Sequence, residues 1–160
     1  MIIIGIDPGT ATTGFGVIKV RKGKSLKCLG YGIIQTKPSE KPEERLRKLN
    51  NELSKLIKKY KADVLAVEKL FFFKNLKTVI PVSQAKGVIL LTAAKNRIPV
   101  FEFSPLQMKL VVGGYGRAEK EKIQKKIKRK LKLEKLPEPD DAADALGIAV
   151  CCALKLEKRA

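Results

Sequence analysis

The apolar positions of this chain change period several times, and each change marks an element. Residues 2–6, Ile-Ile-Ile-Gly-Ile, are a near-continuous apolar run, the pattern of a strand covered on both faces and therefore central in its sheet. The alternation Gly14-Phe15-Gly16-Val17-Ile18-Lys19-Val20, the polar stretch Arg21-Lys22-Gly23-Lys24 and the run from Leu26 to Gln35 predict strand, turn, strand. The opening is thus a three-stranded meander. From residue 39 to 60 the period lengthens: Leu46, Leu49, Leu53, Leu56, Ile57 and Tyr60 recur at helical spacing, with acids early and lysines late, which predicts an amphipathic helix on one sheet face.

Residues 62–68 then read as a short buried strand that closes on Glu68. The spacing predicts a helix over 78–97 whose apolar content wraps most of its circumference, with Pro81 accommodated in its first turn. A helix apolar all round needs two partners: one is the sheet, and the other is expected to be a second copy of the chain. Residues 98–103 predict a fifth strand, placed at an edge by Pro99. After a short helix and the glycine-rich segment Val112-Gly113-Gly114-Tyr115-Gly116, two helices are expected over 118–133 and 140–156. No repeat, linker or composition break divides the 160 residues, so one α/β domain with a five-stranded mixed sheet flanked by helices is expected, of a size that buries roughly two-thirds of its unfolded surface.

Charge adds a partner to this picture. The formal net charge is +18, from 34 Lys and Arg against 16 Asp and Glu, the electrostatic footprint of a polyanion binder, with nucleic acid foremost. No basic segment carries the broad apolar face of an interfacial helix, so no membrane partner is expected. The chain has no histidine, which removes Ser-His and Cys-His nucleophilic catalysis and imidazole-bound zinc. Cys28, Cys151 and Cys152 offer neither a metal spacing nor an even disulfide framework, as in a reducing, cytoplasmic setting.

The remaining candidate chemistry lies in carboxylates. Asp7 ends the first strand in Asp-Pro-Gly. That is good type II turn chemistry, yet it also stands where ligand sites form at the carboxyl ends of buried strands. Glu68 ends the second buried strand, and Asp141 and Asp144 lie three apart on a helix and share a face. Asp140 is accounted for as a helix N-cap. Asp144, set among Ala, Leu and Ile, is not: an unpaired buried carboxylate there costs several kcal/mol unless a cation compensates it. Asp7, Glu68, Asp141 and Asp144 together would form a cluster of hard oxygen ligands suited to Mg²⁺ or Mn²⁺, and around a cleft four of them suit a two-metal phosphodiester hydrolase.

These residues resemble a known family. GIDPGT at 5–10, Gly14-Phe15-Gly16, Glu68 with Phe71 and Lys74-Asn75, Gln84-Ala85-Lys86-Gly87 and DAADALGIA at 141–149 are similar, in unbroken order, to the RuvC family of bacterial Holliday junction endonucleases. The resemblance implies a ribonuclease H-like fold and a bacterial cytoplasmic homodimer. It implies paired nicks in four-way junction DNA that leave 5′-phosphate and 3′-hydroxyl ends, with two Mg²⁺ per subunit for which Mn²⁺ can substitute, and a branch-migration helicase as partner. It puts the catalytic, metal-binding acids at Asp7, Glu68, Asp141 and Asp144, with Asp140 an extra acid that leaves the member of the pair open. DNA contacts fall on Phe71, Lys74, Lys109 and Lys120, Phe71 stacking on or wedging between bases at the junction centre.

Residues 117–135 carry ten Lys or Arg and three Glu; most of these lysines are expected to be a solvated helix face. Leu70-Phe71-Phe72-Phe73 cannot turn all its aromatics inward, because successive side chains of an extended segment alternate faces. Two other readings use some of the same residues. The GIDPGT turn also opens the nucleotide-binding domain of actin-like ATPases and sugar kinases, which need two such domains and more than twice this length. A non-catalytic basic DNA-binding module explains the charge but not Glu68 or Asp144.

Overall fold

The computed structural model describes residues 1–21, 23, 25–70 and 76–158. Strands β1 (Ile2–Asp7), β2 (Thr12–Val20) and β3 (Leu26–Gln35) form the expected antiparallel meander. β4 (Val64–Glu68) pairs parallel to β1, and β5 (Val100–Phe103) parallel to β4, so the strand order is β3-β2-β1-β4-β5. The isoleucine run is central, as its two covered faces require, and the strand after Pro99 is an edge. This mixed sheet with helices on both faces is the ribonuclease H-like arrangement.

Two cores flank the sheet, and strand alternation decides what enters each. Ile4, Ile6, Val17, Leu65 and Val67 meet Leu49, Leu53 and Ile57 of α1 (Pro42–Tyr60) and Ala85, Ile89 and Ala93 of α2 (Leu76–Lys95). On the opposite face Ile3, Val64 and Ala66 meet Ile123, Ile127 and Leu131 of α4 (Lys120–Leu131) and Leu146, Ile148 and Ala149 of α5 (Asp140–Glu157). Between β5 and α4 lie the short α3 (Pro105–Met108), capped by Ser104 and Gln107, and one π-helical turn, Lys109–Gly113, that Gly114 ends in a left-handed conformation (φ 93°).

Three helix starts depart from the periodicity. α1 starts at Pro42 rather than residue 39, because proline fits the first helical position and disfavours helix in the residue before it. α4 starts at Lys120 rather than 118: Ala118 is buried and its N–H donates to the Tyr115 carbonyl instead of entering the helix. α2 starts at Leu76, so Pro81 lies inside the helix and not in its first turn. α2 buries Ala85, Ile89, Thr92 and Ala93 and leaves Leu76, Ile80, Leu90 and Leu91 exposed, one side covering the sheet and the other bare. The cysteines are free, and burial pushes the thiols of Cys151 and Cys152 up to about 11 and about 12, which keeps them inert.

Candidate active site

The alternation that sorts the cores also aims the carboxylates. Asp7 has the parity of Ile3 and Gly5, and Glu68 that of Val64 and Ala66, so both strands end with an acid directed to the α5 face. Ile6 pairs with Val67 in the parallel ladder, which sets Asp7 beside Glu68. α5 reaches them because the strands beneath it carry glycine. A Cβ on Gly5 would lie 2.1 Å from the Ala145 carbonyl oxygen, one on Gly14 2.0 Å from the Asp141 oxygen, and one on Gly16 2.8 Å from Leu146. Gly14 is the ladder partner of Asp7, so the same contact that seats α5 lays Asp141 over Asp7. Asp144 follows one turn later on the same helix face.

The turn after Asp7 differs from the expected type II form. Among the described residues the glycines with positive φ are Gly23 and Gly114, and Gly9 is not one of them. Gly9 is needed for room: a Cβ there would sit 2.0 Å from the carbonyl oxygen of Thr12. The tight return places Thr12 at the start of β2, where its hydroxyl donates to Asp141 Oδ2 at 3.0 Å. Sequence reasoning missed Thr12, since a threonine opening a strand carries no signal of its own.

Electrostatics separate the two neighbouring aspartates. Asp140 does not cap α5; Pro139 holds that position without a side-chain bond. Asp140 instead accepts from Lys120 Nζ at 3.1 Å and Gln124 Nε2 at 3.4 Å, its side chain 75% exposed, and the Lys120 bond holds its carboxyl below the ordinary range. Asp141 faces inward, toward Thr12 and Asp7. Burial, then the hydrogen bond shared with Glu68 and the charges of Glu68, Asp144 and Asp141, push Asp7 up to about 9. Burial also raises Asp144, against the charge of Lys120 and its 3.4 Å bond. Burial works to lower Lys120, but its bond to Asp140 and the charges of Asp144 and Asp140 raise it overall.

A cleft opens beside this group, lined by Glu68, Asp144, Lys109, Lys120, Phe103 and Met108 among others. The fold therefore gathers Asp7, Glu68, Asp141, Asp144, Lys109 and Lys120 at one end of the sheet. Phe71 and Lys74 lie outside the described residues. Among those described, no three His, Cys, Asp or Glu side chains are grouped closely enough to enclose one ion. The donor set nonetheless fits a hard divalent cation. Burial first, and then the hydrogen bond to Glu68 and the neighbouring charges, hold the Asp7 proton well above the ordinary carboxylate range, and a cation taking that proton's place would relieve the same repulsion.

Residues 3–152 match the family model described as crossover junction endodeoxyribonuclease RuvC. The chain is 48% identical over 151 residues to the crossover junction endodeoxyribonuclease RuvC of Caldicellulosiruptor saccharolyticus, covering 94% of this chain and 91% of that one. It is 50% identical to the RuvC of Petrotoga mobilis, covering 94% and 92%. Thermus thermophilus RuvC superposes with a TM-score of 0.93 at 29% identity, covering 99% of this chain and 97% of that one. The T. thermophilus RuvC in complex with Holliday junction substrate gives 0.90 at 27% identity, covering 99% and 96%.

Proposed function

Because the chain belongs to the RuvC family of crossover junction endodeoxyribonucleases, we propose that it resolves Holliday junctions in the bacterial cytoplasm. It does so as a homodimer, by paired Mg²⁺-dependent nicks that leave 5′-phosphate and 3′-hydroxyl ends. The observation that carries this reading is the gathering of Asp7, Glu68, Asp141 and Asp144 where two buried strands end beneath α5. Those four side chains would hold two Mg²⁺ per subunit, with Mn²⁺ able to substitute, and the bound ions would supply a polarised phosphate and an activated water.

The chain's own residues prepare the site. Thr12 fixes the rotamer of Asp141 by donating to its Oδ2, which leaves the other carboxylate oxygen for a cation. Lys120 neutralises part of the charge on Asp144 and lines the same cleft as Lys109, so both ammonium groups stand where a scissile phosphate approaches. Asp140, tied outward to Lys120 and Gln124, positions that lysine and takes no part in ligation. The exposed apolar side of α2 supplies the two-fold contact, and a helicase partner rests on the family alone. Phe71 and Lys74 are proposed as DNA contacts on the same family ground.

The test is incubation with a synthetic four-way junction and with plain duplex of the same sequence, with Mg²⁺ and with EDTA. Junction cleavage that needs Mg²⁺, with duplex left intact, is the expected result. Equal cleavage of both DNAs would remove the junction specificity and leave a general nuclease, and no cleavage with Mg²⁺ would favour a non-catalytic basic DNA-binding module.

A further inference from the structure

Arg45 is the least ordinary residue of the basic set. It sits one turn before Leu49 on the buried stripe of α1 and reaches the end of the sheet from the face opposite α5. Its Nε donates to the Thr36 hydroxyl at 3.0 Å, and a terminal nitrogen donates to the Thr10 carbonyl. A guanidinium has donors only, so the Thr36 oxygen must accept from it and turn its own proton away. That proton goes to the Ala11 carbonyl at 3.4 Å, which also receives the Thr36 N–H at 2.9 Å. Two consecutive carbonyls, Thr10 and Ala11, are thereby tied to α1 and to the residue that follows β3.

Those carbonyls belong to the turn between Asp7 and Thr12, the residue that opens this end of the sheet and the residue that bonds Asp141. The turn is crowded at Gly9 but borders a cavity on its α1 and α2 side, lined by Thr10, Ala11, Thr36, Arg45, Pro81 and Gln84 among others. Without the guanidinium, part of its packing is open space into which it can move. The load on it is electrostatic, because the carboxylates of Asp7, Glu68, Asp141 and Asp144 repel one another.

We infer that Arg45, relayed through Thr36, is a positioning residue that braces the Asp7–Thr12 turn from behind and so preorganises the acid cluster for its divalent cation. This rests on the endonuclease reading above. Outer partners of this kind typically carry about 10–100-fold in metal affinity or activity. A point charge cannot replace the planar fork that engages two acceptors.

The experiment compares wild-type protein with Arg45→Ala, Arg45→Lys and Thr36→Val. Mn²⁺ alone is titrated and free Mn²⁺ read by electron paramagnetic resonance; single-turnover junction cleavage is followed against Mg²⁺ concentration, and junction affinity is measured without metal. Thr36→Val is near-isosteric and keeps a fold-competent variant in the set if Arg45→Ala unfolds. Expected is a loss of about ten-fold in Mn²⁺ affinity and a matching rise in half-saturating Mg²⁺, with junction affinity unchanged and Arg45→Lys behaving as Arg45→Ala. Mn²⁺ affinity and Mg²⁺ dependence within about two-fold of wild type in all folded variants, or full function in Arg45→Lys, would overturn the brace. A wild type that binds Mn²⁺ more tightly than the variants but cleaves no junction would overturn the endonuclease reading and leave the brace standing.

Discussion

Asp7 is the residue on which most of the proposed chemistry turns. Its carboxyl ionises near 3.8 when unfolded and near about 9 in the metal-free fold, through burial first and its acidic neighbours second. Between those values the folded chain binds more protons than the unfolded one, so the stability of metal-free protein falls as pH rises through that window and levels off above it. Asp7→Asn should flatten most of that slope, leaving the part due to Asp144, whose carboxyl burial also raises, and saturating Mg²⁺ should flatten it too; melting temperatures at about pH 5 and about pH 8 check both. A second prediction separates the neighbouring acids. Asp7→Asn, Glu68→Gln, Asp141→Asn and Asp144→Asn should each lose at least about a hundred-fold in cleavage while binding junctions as well as wild type or better, since the charge that holds Mg²⁺ also repels phosphate. Asp140→Ala, already turned out to Lys120, should keep most of its activity; single-turnover cleavage beside gel-shift binding distinguishes the two classes.

At the scale of elements, the site depends on how closely α5 approaches β1 and β2. A methyl on Gly5 or Gly14 would meet backbone atoms of α5 at 2.1 and 2.0 Å, and backbone cannot rotate away as a side chain can. Gly5→Ala and Gly14→Ala should each destabilise the fold by about 1–3 kcal/mol or more, measured by urea denaturation. Both should also reduce cleavage sharply in whatever protein remains folded, since a lifted α5 carries Asp141 and Asp144 away from Asp7 and Glu68.

For the molecule as a whole, two surfaces bear on the proposed function. The bare side of α2 presents Leu76, Ile80, Leu90 and Leu91, and the proposed two-fold contact there would make residue and partner residue meet symmetrically. Ile80→Glu with Leu91→Glu should convert a dimer to a folded monomer that nicks junctions singly, as read by sedimentation and by the ratio of nicked to resolved product. Wild-type protein that sediments as a monomer with full activity would contradict the dimer. The net charge of +18 should make junction affinity fall steeply with salt. Lys109→Ala should lower the slope of log affinity against log salt by about one. Lys120→Ala should lower it by less, because Asp140 and Asp144 already hold its ammonium group.

The sequence by itself determined the elements, their order and which acids stand out as the ones the fold brings together. An unbroken isoleucine run can only be satisfied with both faces covered, and a carboxylate ending such a run stands out against its surroundings. The composition also ruled out histidine chemistry and marked a polyanion as partner. What it could not supply was distance. The type II turn expected at Asp7-Pro8-Gly9 gave way to one in which Gly9 serves close approach to Thr12. The N-cap expected of Asp140 became an ion pair with a lysine twenty residues earlier. Thr12, Thr36 and Arg45 are unremarkable in a linear chain, because hydrogen-bonding capacity is common and becomes specific only when folding brings one donor to one acceptor. Which of two adjacent aspartates faces inward, and which arginine of a very basic chain reaches the turn, were decided by the tertiary structure, because glycine-mediated seating of α5 and the packing of the first turn of α1 set those contacts.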